Sequence, residues 1–467
     1  MSDSNFTRRQ MLQTAGTGFG TLGLAGTLQA AGMLKSDRVS SEKTLGLHFA
    51  PKAKRVIFLF MNGAPSHVDT FDPKPSLAKH EGQKPTEKLE RTAKAGYMSS
   101  PFRFRAHGES GVVMSELFPQ LSRCADDLCV VRSMHTDQPN HEPGLLIMSS
   151  GNPQPIRPSL GSWLSYGLGC ENQNLPSFVV LCPGRPVVGP QLWSNSFLPG
   201  EHQGMSVNTT NMNVDQLVSN LRHPNLNHRQ QQRQLELLGA LNRRHRDQRQ
   251  GDSALEAQIR AFELAFNMQR EATTVFDINR ETKQTRELYG STPYSNSCLL
   301  ARRLVENGVR FVQVYYVNGN KQPWDTHTDN NERHRQLCAD SDRGSAALLS
   351  DLKRRGLLDD TLVVWSGEFG RTPYAQPGKN KMKYGRDHHH TAFSLFMAGG
   401  GIKGGMMYGA TDEFGMYSVD NRVHVHDLHA TILHLLGIDH ERLTYRYAGR
   451  DFRLTDVHGK VVRDIIT

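Results

Sequence analysis

The ten residues "KRVIFLFMNG" (Lys54 to Gly63) decide how this chain is read. A strand with one wet face alternates apolar and polar residues, whereas this run is continuously apolar and stops at a turn signal. That pattern predicts a strand buried on both faces, as in a parallel sheet. Runs of the same kind recur downstream as "DLCVVRSM", "SFVVLCP", "VRFVQVYYV", "TLVVWSG" and "FSLFMAGG". Helical patterns lie between them, among them "SLGSWLSYGLG", "CLLARRLVENG" and "SAALLSDLKRRGLL". Strands alternating with helices predict an α/β fold, with a mostly parallel central sheet flanked by helices on both faces. Ligands of such sheets collect at the carboxyl ends of the strands.

The chain has 467 residues, 37% hydrophobic and 22% charged, enough apolar material for a large core. Its formal charge of +9 comes from scattered Lys and Arg without a long basic block, which argues against a nucleic-acid partner. The same sign suits an anionic small molecule or polysaccharide. At the N-terminus, "TRRQML" (Thr7 to Leu12) precedes a Gly- and Ala-rich apolar run ending near Ala30 and Ala31. This is the layout of a twin-arginine export signal over residues 1–32, leaving residues 33–467 as the folded domain. The run is short and glycine-diluted for a spanning helix. A periplasmic or extracellular protein with no membrane attachment after signal removal is therefore expected. The six cysteines form no CxxC pair, and outside the cytoplasm one or two disulfides are open to them. From about 214 to 289 the chain turns rich in Gln, Arg, Glu and Leu at helical spacing, which predicts a helical insertion.

Candidate ligands gather in loops that follow the predicted strands. The first loop, "MNGAPSHVDTFDPKP", holds Asn62, Ser66, His67, Asp69 and Asp72; the second, "MHTDQPNHEPG", holds His135, Asp137, His141 and Glu142. "NGNKQPWDTHTDNNERH" brings Asp325, His327, Asp329 and His334, and "SGEFGRTP" brings Glu368 and Arg371. "YGRDHHHT" supplies Arg386, Asp387 and three consecutive histidines, His388 to His390. Histidine and carboxylate from separate strand ends are what zinc, manganese or iron sites use. "VHDLHATILHLLGI" has apolar residues at helical spacing, so His429 and His434 read as structural helix residues, while His424 and His426 stay open. "GGGIKGG" follows a strand without opening a helix and reads as a flexible turn.

The order of "MNGAPSHVDTFDPKP", "RPSLGSWLSYGLGCENQNLPSFVVL", "WDTH", "GEFGRTP" and "DLHATILHLLGID" resembles the family of domain of unknown function 1501. That family looks like a sulfatase-like branch of the alkaline phosphatase and sulfatase superfamily, whose members hydrolyse phosphate or sulfate esters with one or two bound cations. The resemblance implies one retained cation site on Asp325, His327 and His390. The other is altered: Asn62 stands where an aspartate is usual, and "EFG" puts Phe369 in place of a histidine. His67, Asp69, His141 and Glu368 are the residues available to rebuild it. His141 falls at the nucleophile position, with no Ser, Thr or Cys there.

The resemblance thus implies an exported metal-dependent hydrolase of sulfate or phosphate esters, with zinc, manganese or calcium and a metal-activated water. In that scheme His141 is general base or nucleophile. Arg371 and Arg386 either clamp the anionic group or close loops as salt bridges. The substrate would be an anionic ester or a sulfated polysaccharide. The alternative is a catalytically inactive relative that binds a sulfated glycan or a protein partner.

Overall fold

In the computed structural model the run Lys54–Gly63 becomes strand β1 (Arg55–Met61), near the middle of a nine-stranded sheet. The structure describes residues 46–85, 95–218, 271–319, 321–377 and 383–467, with scattered positions between 230 and 268. The expected export signal lies outside the described residues. So does most of the expected insertion, whose two ends, Val214–Leu217 and Lys283–Tyr289, are helical.

The other sheet strands are β2 (Leu128–His135), β3 (Phe178–Leu181), β4 (Met205–Val207), β5 (Phe311–Tyr316) and β6 (Thr361–Ser366). A separate hairpin, β7 (Gly370–Gln376) and β8 (Gly385–His389), intervenes before β9 (Phe393–Ala398), β10 (Met406–Tyr408) and β11 (Val423–His424) complete the sheet. The sheet order is β10-β2-β9-β6-β1-β5-β3-β4, with β11 also pairing β2. β1 runs parallel to both neighbours, Val56 opposite Phe311 and Leu362. Only β9, between β2 and β6, runs antiparallel to its neighbours. The sheet is thus mixed and mostly parallel, as the apolar runs predict. Strand direction within "FSLFMAGG" was not legible, because a doubly buried strand has the same composition either way.

Alternate residues of β1 feed two cores. Ile57, Leu59 and Met61 pack on one side with Leu299, Leu300 and Leu304 of helix α3 (Pro293–Glu306) and Leu348 and Leu352 of α4 (Asn330–Arg354). Helices are numbered here by their place in the chain, α1 (His141–Ser150) and α2 (Leu160–Leu168) preceding these and α5 (Val425–Leu435) following. Val56, Phe58 and Phe60 pack on the other side with Leu145 and Ile147 of α1, Trp163 and Leu164 of α2, and Ile432 and Leu433 of α5. Each such side chain taken from water stabilises by about 1.5–3 kcal/mol, so the doubly buried sheet is the main source of cohesion.

Local signals place the helix starts. Thr292 accepts a hydrogen bond from the Ser295 N–H and Pro293 occupies the first turn of α3, where its missing N–H costs nothing. His424 caps α5, its ring accepting from the His426 N–H. All six cysteines are unpaired, against the disulfides left open above, and five of them are buried. No helix among the described residues is long and apolar enough to cross a membrane.

Candidate metal centre

Strands β1, β2, β5 and β6 point their carboxyl ends to one edge, where the chain must turn and polar residues appear. His141 is the first residue of α1, on the segment leaving β2. Asp325 and His327 sit on the loop after β5. His388 lies on β8, directly across the hairpin from Arg371. Side chains opposite one another in an antiparallel pair share a face, so both reach Asp325. One ligand atom from each of His141, Asp325, His327 and His388 lies within 4.8 Å of all the others.

The distances within this group are short. Asp325 Oδ1 is 3.1 Å from His141 Nε2, 2.9 Å from His327 Nε2 and 3.5 Å from His388 Nε2. The Nε2 atoms of His327 and His388 face each other at 3.0 Å. In a tetrahedral centre with bonds of about 2.0–2.1 Å, ligand atoms stand roughly 3.3 Å apart. The cluster matches that spacing.

Two imidazoles have their tautomers set from behind. His141 Nδ1 lies 2.6 Å from Glu368 Oε1, and an ionised carboxylate only accepts, so Nδ1 carries the hydrogen. His327 Nδ1 is 2.5 Å from Gln376 Oε1 and 3.5 Å from Asp387 Oδ1, two acceptors that again keep the hydrogen on Nδ1. With neutral rings, both Nε2 lone pairs then aim at the Asp325 carboxylate. Asp325 Oδ1 is a buried atom with no hydrogen bond of acceptable geometry, although four nitrogens crowd it. Three imidazole nitrogens and a carboxylate oxygen at this spacing form a donor set that fits one divalent transition ion, with the Arg371 guanidinium against the same oxygen.

Burial alone raises the Asp325 carboxyl, yet His141, His327, His388 and the Arg371 guanidinium outweigh it and hold the group well below the usual carboxylate range. Burial pulls His141 down, and Asp325 and Glu368 overcome it, so its net shift is upward. His327 is raised chiefly by Asp325. His388 is lowered, mainly by burial.

Several expected roles are corrected. His390 is not one of the four; its backbone carbonyl accepts from the Thr136 N–H at 2.9 Å, just past the end of β8. The residue of "GRDHHHT" that joins the cluster is His388, which lies across the hairpin from Arg371, whereas His390 lies beyond the strand's end. His389 points the other way, stacks on His67 at 5.7 Å and bonds the Met416 carbonyl at 2.8 Å. Glu368 is outside the group of four and stands behind His141: Oε1 and Oε2 receive the Gly63 N–H at 3.0 and 3.2 Å, and Oε1 receives His141. His67 donates to the Gly415 carbonyl at 2.9 Å, away from the cluster.

Asp69 and Arg386 belong to each other. Arg386 Nε and Nη2 grip the two Asp69 oxygens at 2.8 and 3.2 Å, and both side chains are fully buried. Arg386 also donates to the carbonyls of Thr372 and Met98. Burial would raise the Asp69 carboxyl, but Arg386 and then His334 hold it well below the usual range. Arg386 is therefore a loop-closing strut, not an anion clamp. Asp69→Asn strands a buried guanidinium and is expected to cost about 3–5 kcal/mol, read from urea unfolding midpoints. A loss below about 0.5 kcal/mol would remove the pair from the frame of the site, since that is the scale of an ordinary surface change.

Arg371 is also fully buried. It donates to the backbone carbonyls of Ala64 and Gly63, and its Nη2 lies 2.6 Å from Asp325 Oδ1. The tight turn that offers those carbonyls needs Gly63, whose φ is 108° and whose place a Cβ would take only 2.4 Å from the Asp325 nitrogen. Sequence reasoning missed the roles of Gln376 and His388. The signal available was the Pro-Gly pair at 377–378, which in sequence suggests a hairpin between two short segments.

Three solved structures illustrate what this chain is similar to. The PsFucS1 sulfatase from Pseudoalteromonas sp. aligns at 12% identity over 92% of this chain and 72% of that one, with a TM-score of 0.36. The lipoteichoic acid synthase LtaP from Listeria monocytogenes aligns at 9% identity over 88% and 78%, TM-score 0.37. The alkaline phosphatase from the Antarctic bacterium TAB5 aligns at 11% identity over 82% and 98%, TM-score 0.32. No curated protein sequence matches the chain. Residues 53–466, almost everything the apolar strands and their loops occupy, match the family described as protein of unknown function DUF1501, and the chain belongs to that family.

Proposed function

We propose that this protein is a hydrolase of sulfate or phosphate esters built on a single divalent cation, held by His141, Asp325, His327 and His388. The observation that carries the reading is the convergence of three imidazole Nε2 atoms on one carboxylate oxygen at the spacing of a metal's ligands. Zinc is favoured, and calcium drops out, because calcium takes oxygen ligands while three of these four are nitrogens. Such a cation supplies Lewis acidity toward an ester oxygen and lowers the pKa of water.

The protein's own groups do the rest. Glu368 and Gln376 keep hydrogens on the Nδ1 atoms, so the Nε2 lone pairs stay inward. Phe369 packs against the rings of His141 and His388 at 4.9 and 5.1 Å, an apolar wall that limits water on that side. His141, engaged at both nitrogens, is not free to be base or nucleophile. Asp387 is the carboxylate beside His327, and its Oδ1 also accepts from the His388 N–H at 2.8 Å. Export by the twin-arginine route, a folded domain over 33–467 and a sulfated polysaccharide substrate belong to this reading, supported by "TRRQML" and the charge of +9. The sealed positions of Arg371 and Arg386 favour a second reading, a cation-holding relative that binds its glycan without cleaving it.

Metal analysis of the folded protein is expected to give about one equivalent of transition metal, and less than about a tenth would sink the coordination scheme. With metal present, turnover of aryl sulfate and aryl phosphate separates hydrolase from binder. His390→Ala is expected to leave that turnover unchanged.

A further inference from the structure

Glu368 is more deeply committed than a hydrogen-bond acceptor needs to be. It is fully buried, and its ion-pair partner among the described residues is His141. The adjacent Arg371 spends its hydrogen bonds on backbone carbonyls and sits against Asp325 instead. Two backbone positions are given over to holding the carboxylate. Gly63 turns its N–H onto both oxygens, and Gly367 brings the chain so close to the first loop that a Cβ would meet Pro65 at 2.8 Å and Ala64 at 2.9 Å. A buried carboxylate is costly unless positive charge faces it. The cost is offset if its charge acts through the imidazole on a cation beyond it. The companion ring, His327, is backed by the neutral amide of Gln376.

We infer that Glu368 is a positioning residue whose negative charge, relayed through His141 Nδ1, sets how tightly the centre retains its cation. The inference rests on the metal reading of the same cluster and adds the residue that tunes it. Charge and shape are separable here: in Glu368→Gln the side-chain oxygen still accepts from both Gly63 and His141, while the charge is gone.

The test uses the full chain, stripped with a chelator and titrated with zinc against a competing indicator. Glu368→Gln is expected to weaken zinc binding about 10-fold and Glu368→Ala about 100-fold. Gln376→Ala is expected to fall short of the Glu368→Ala loss. Urea midpoints of the stripped proteins report any purely structural role. Zinc uptake by wild type with an unchanged dissociation constant in folded Glu368→Gln overturns this inference alone, including when the urea midpoint moves. A wild-type protein that takes up no zinc overturns the metal reading and this inference together.

Discussion

His388→Ala is expected to cost the centre about 100- to 1,000-fold in zinc affinity, and Asp325→Asn at least as much. The scale follows from structural zinc sites, whose binding of about 10–16 kcal/mol divides among four ligands at roughly 2.5–4 kcal/mol each. Asp325 belongs at the upper end because it is the charged ligand and its Oδ1 is the atom on which all three imidazoles converge. Asp325→Asn also deprives the buried Arg371 of its carboxylate partner, so its stability is expected to fall as well. His388→Ala leaves that pair intact and isolates the ligand effect. His390→Ala, one residue beyond the strand, is the matched control and is expected to keep wild-type affinity. Equal affinities for His388→Ala and His390→Ala would take His388 out of the set that holds the cation.

Acid is expected to unfold this protein near pH 5. Burial lowers His67, His334 and His429 to about 4 and His389 to about 3. All four are fixed by backbone contacts: His67 to the Gly415 carbonyl, His389 to the Met416 carbonyl, His429 to the Met148 carbonyl, and His334 between the Ser66 N–H and the Asn330 carbonyl. The unfolded chain binds protons at these rings below its ordinary value of about 6.5, while the folded chain cannot. Their stabilising contribution is therefore complete above that value and is lost as pH falls toward the folded values. Each ring contributes a slope of about 1.4 kcal/mol per pH unit inside that window, so four together approach the whole stability of a typical domain, about 5–15 kcal/mol, within two units. Circular dichroism during acid titration measures this directly. Retention of the fold to below pH 4 would mean that these rings are not neutral and sealed in solution.

The sheet was legible because its signal is redundant. Each doubly buried strand announces itself by a run such as "TLVVWSG", and five such runs besides Lys54–Gly63 leave little else for the chain to do. Asp325 and His327 were pointed to by the resemblance of "WDTH" to a metal-binding segment, since the spacing of "DTH" by itself suits a turn. The rest of the centre was harder. A run of three histidines carries no phase, so which one faces inward depends on a hairpin register with an irregularity between Arg386 and His388. Glu368 read as a ligand because a carboxylate at a strand end looks the same whether it touches a cation or stands one imidazole behind it. The arginines were ambiguous on the same ground. Sequence shows a guanidinium near the site, whereas its hydrogen bonds to Gly63, Ala64, Thr372 and Met98 show that it is consumed.

The four ligands come from three well-separated stretches of chain, at position 141, at 325 and 327, and at 388. A nascent polypeptide therefore cannot assemble the centre until most of its length has been made. Because β6 lies between β1 and β9, the sheet itself stays open until the same late segment arrives. Cation capture then reports on completed topology, and an ion added during refolding should be taken up in the final phase rather than guide the first collapse. A cation that binds only the completed fold stabilises it by mass action, so the loaded protein should unfold at higher urea than the stripped one.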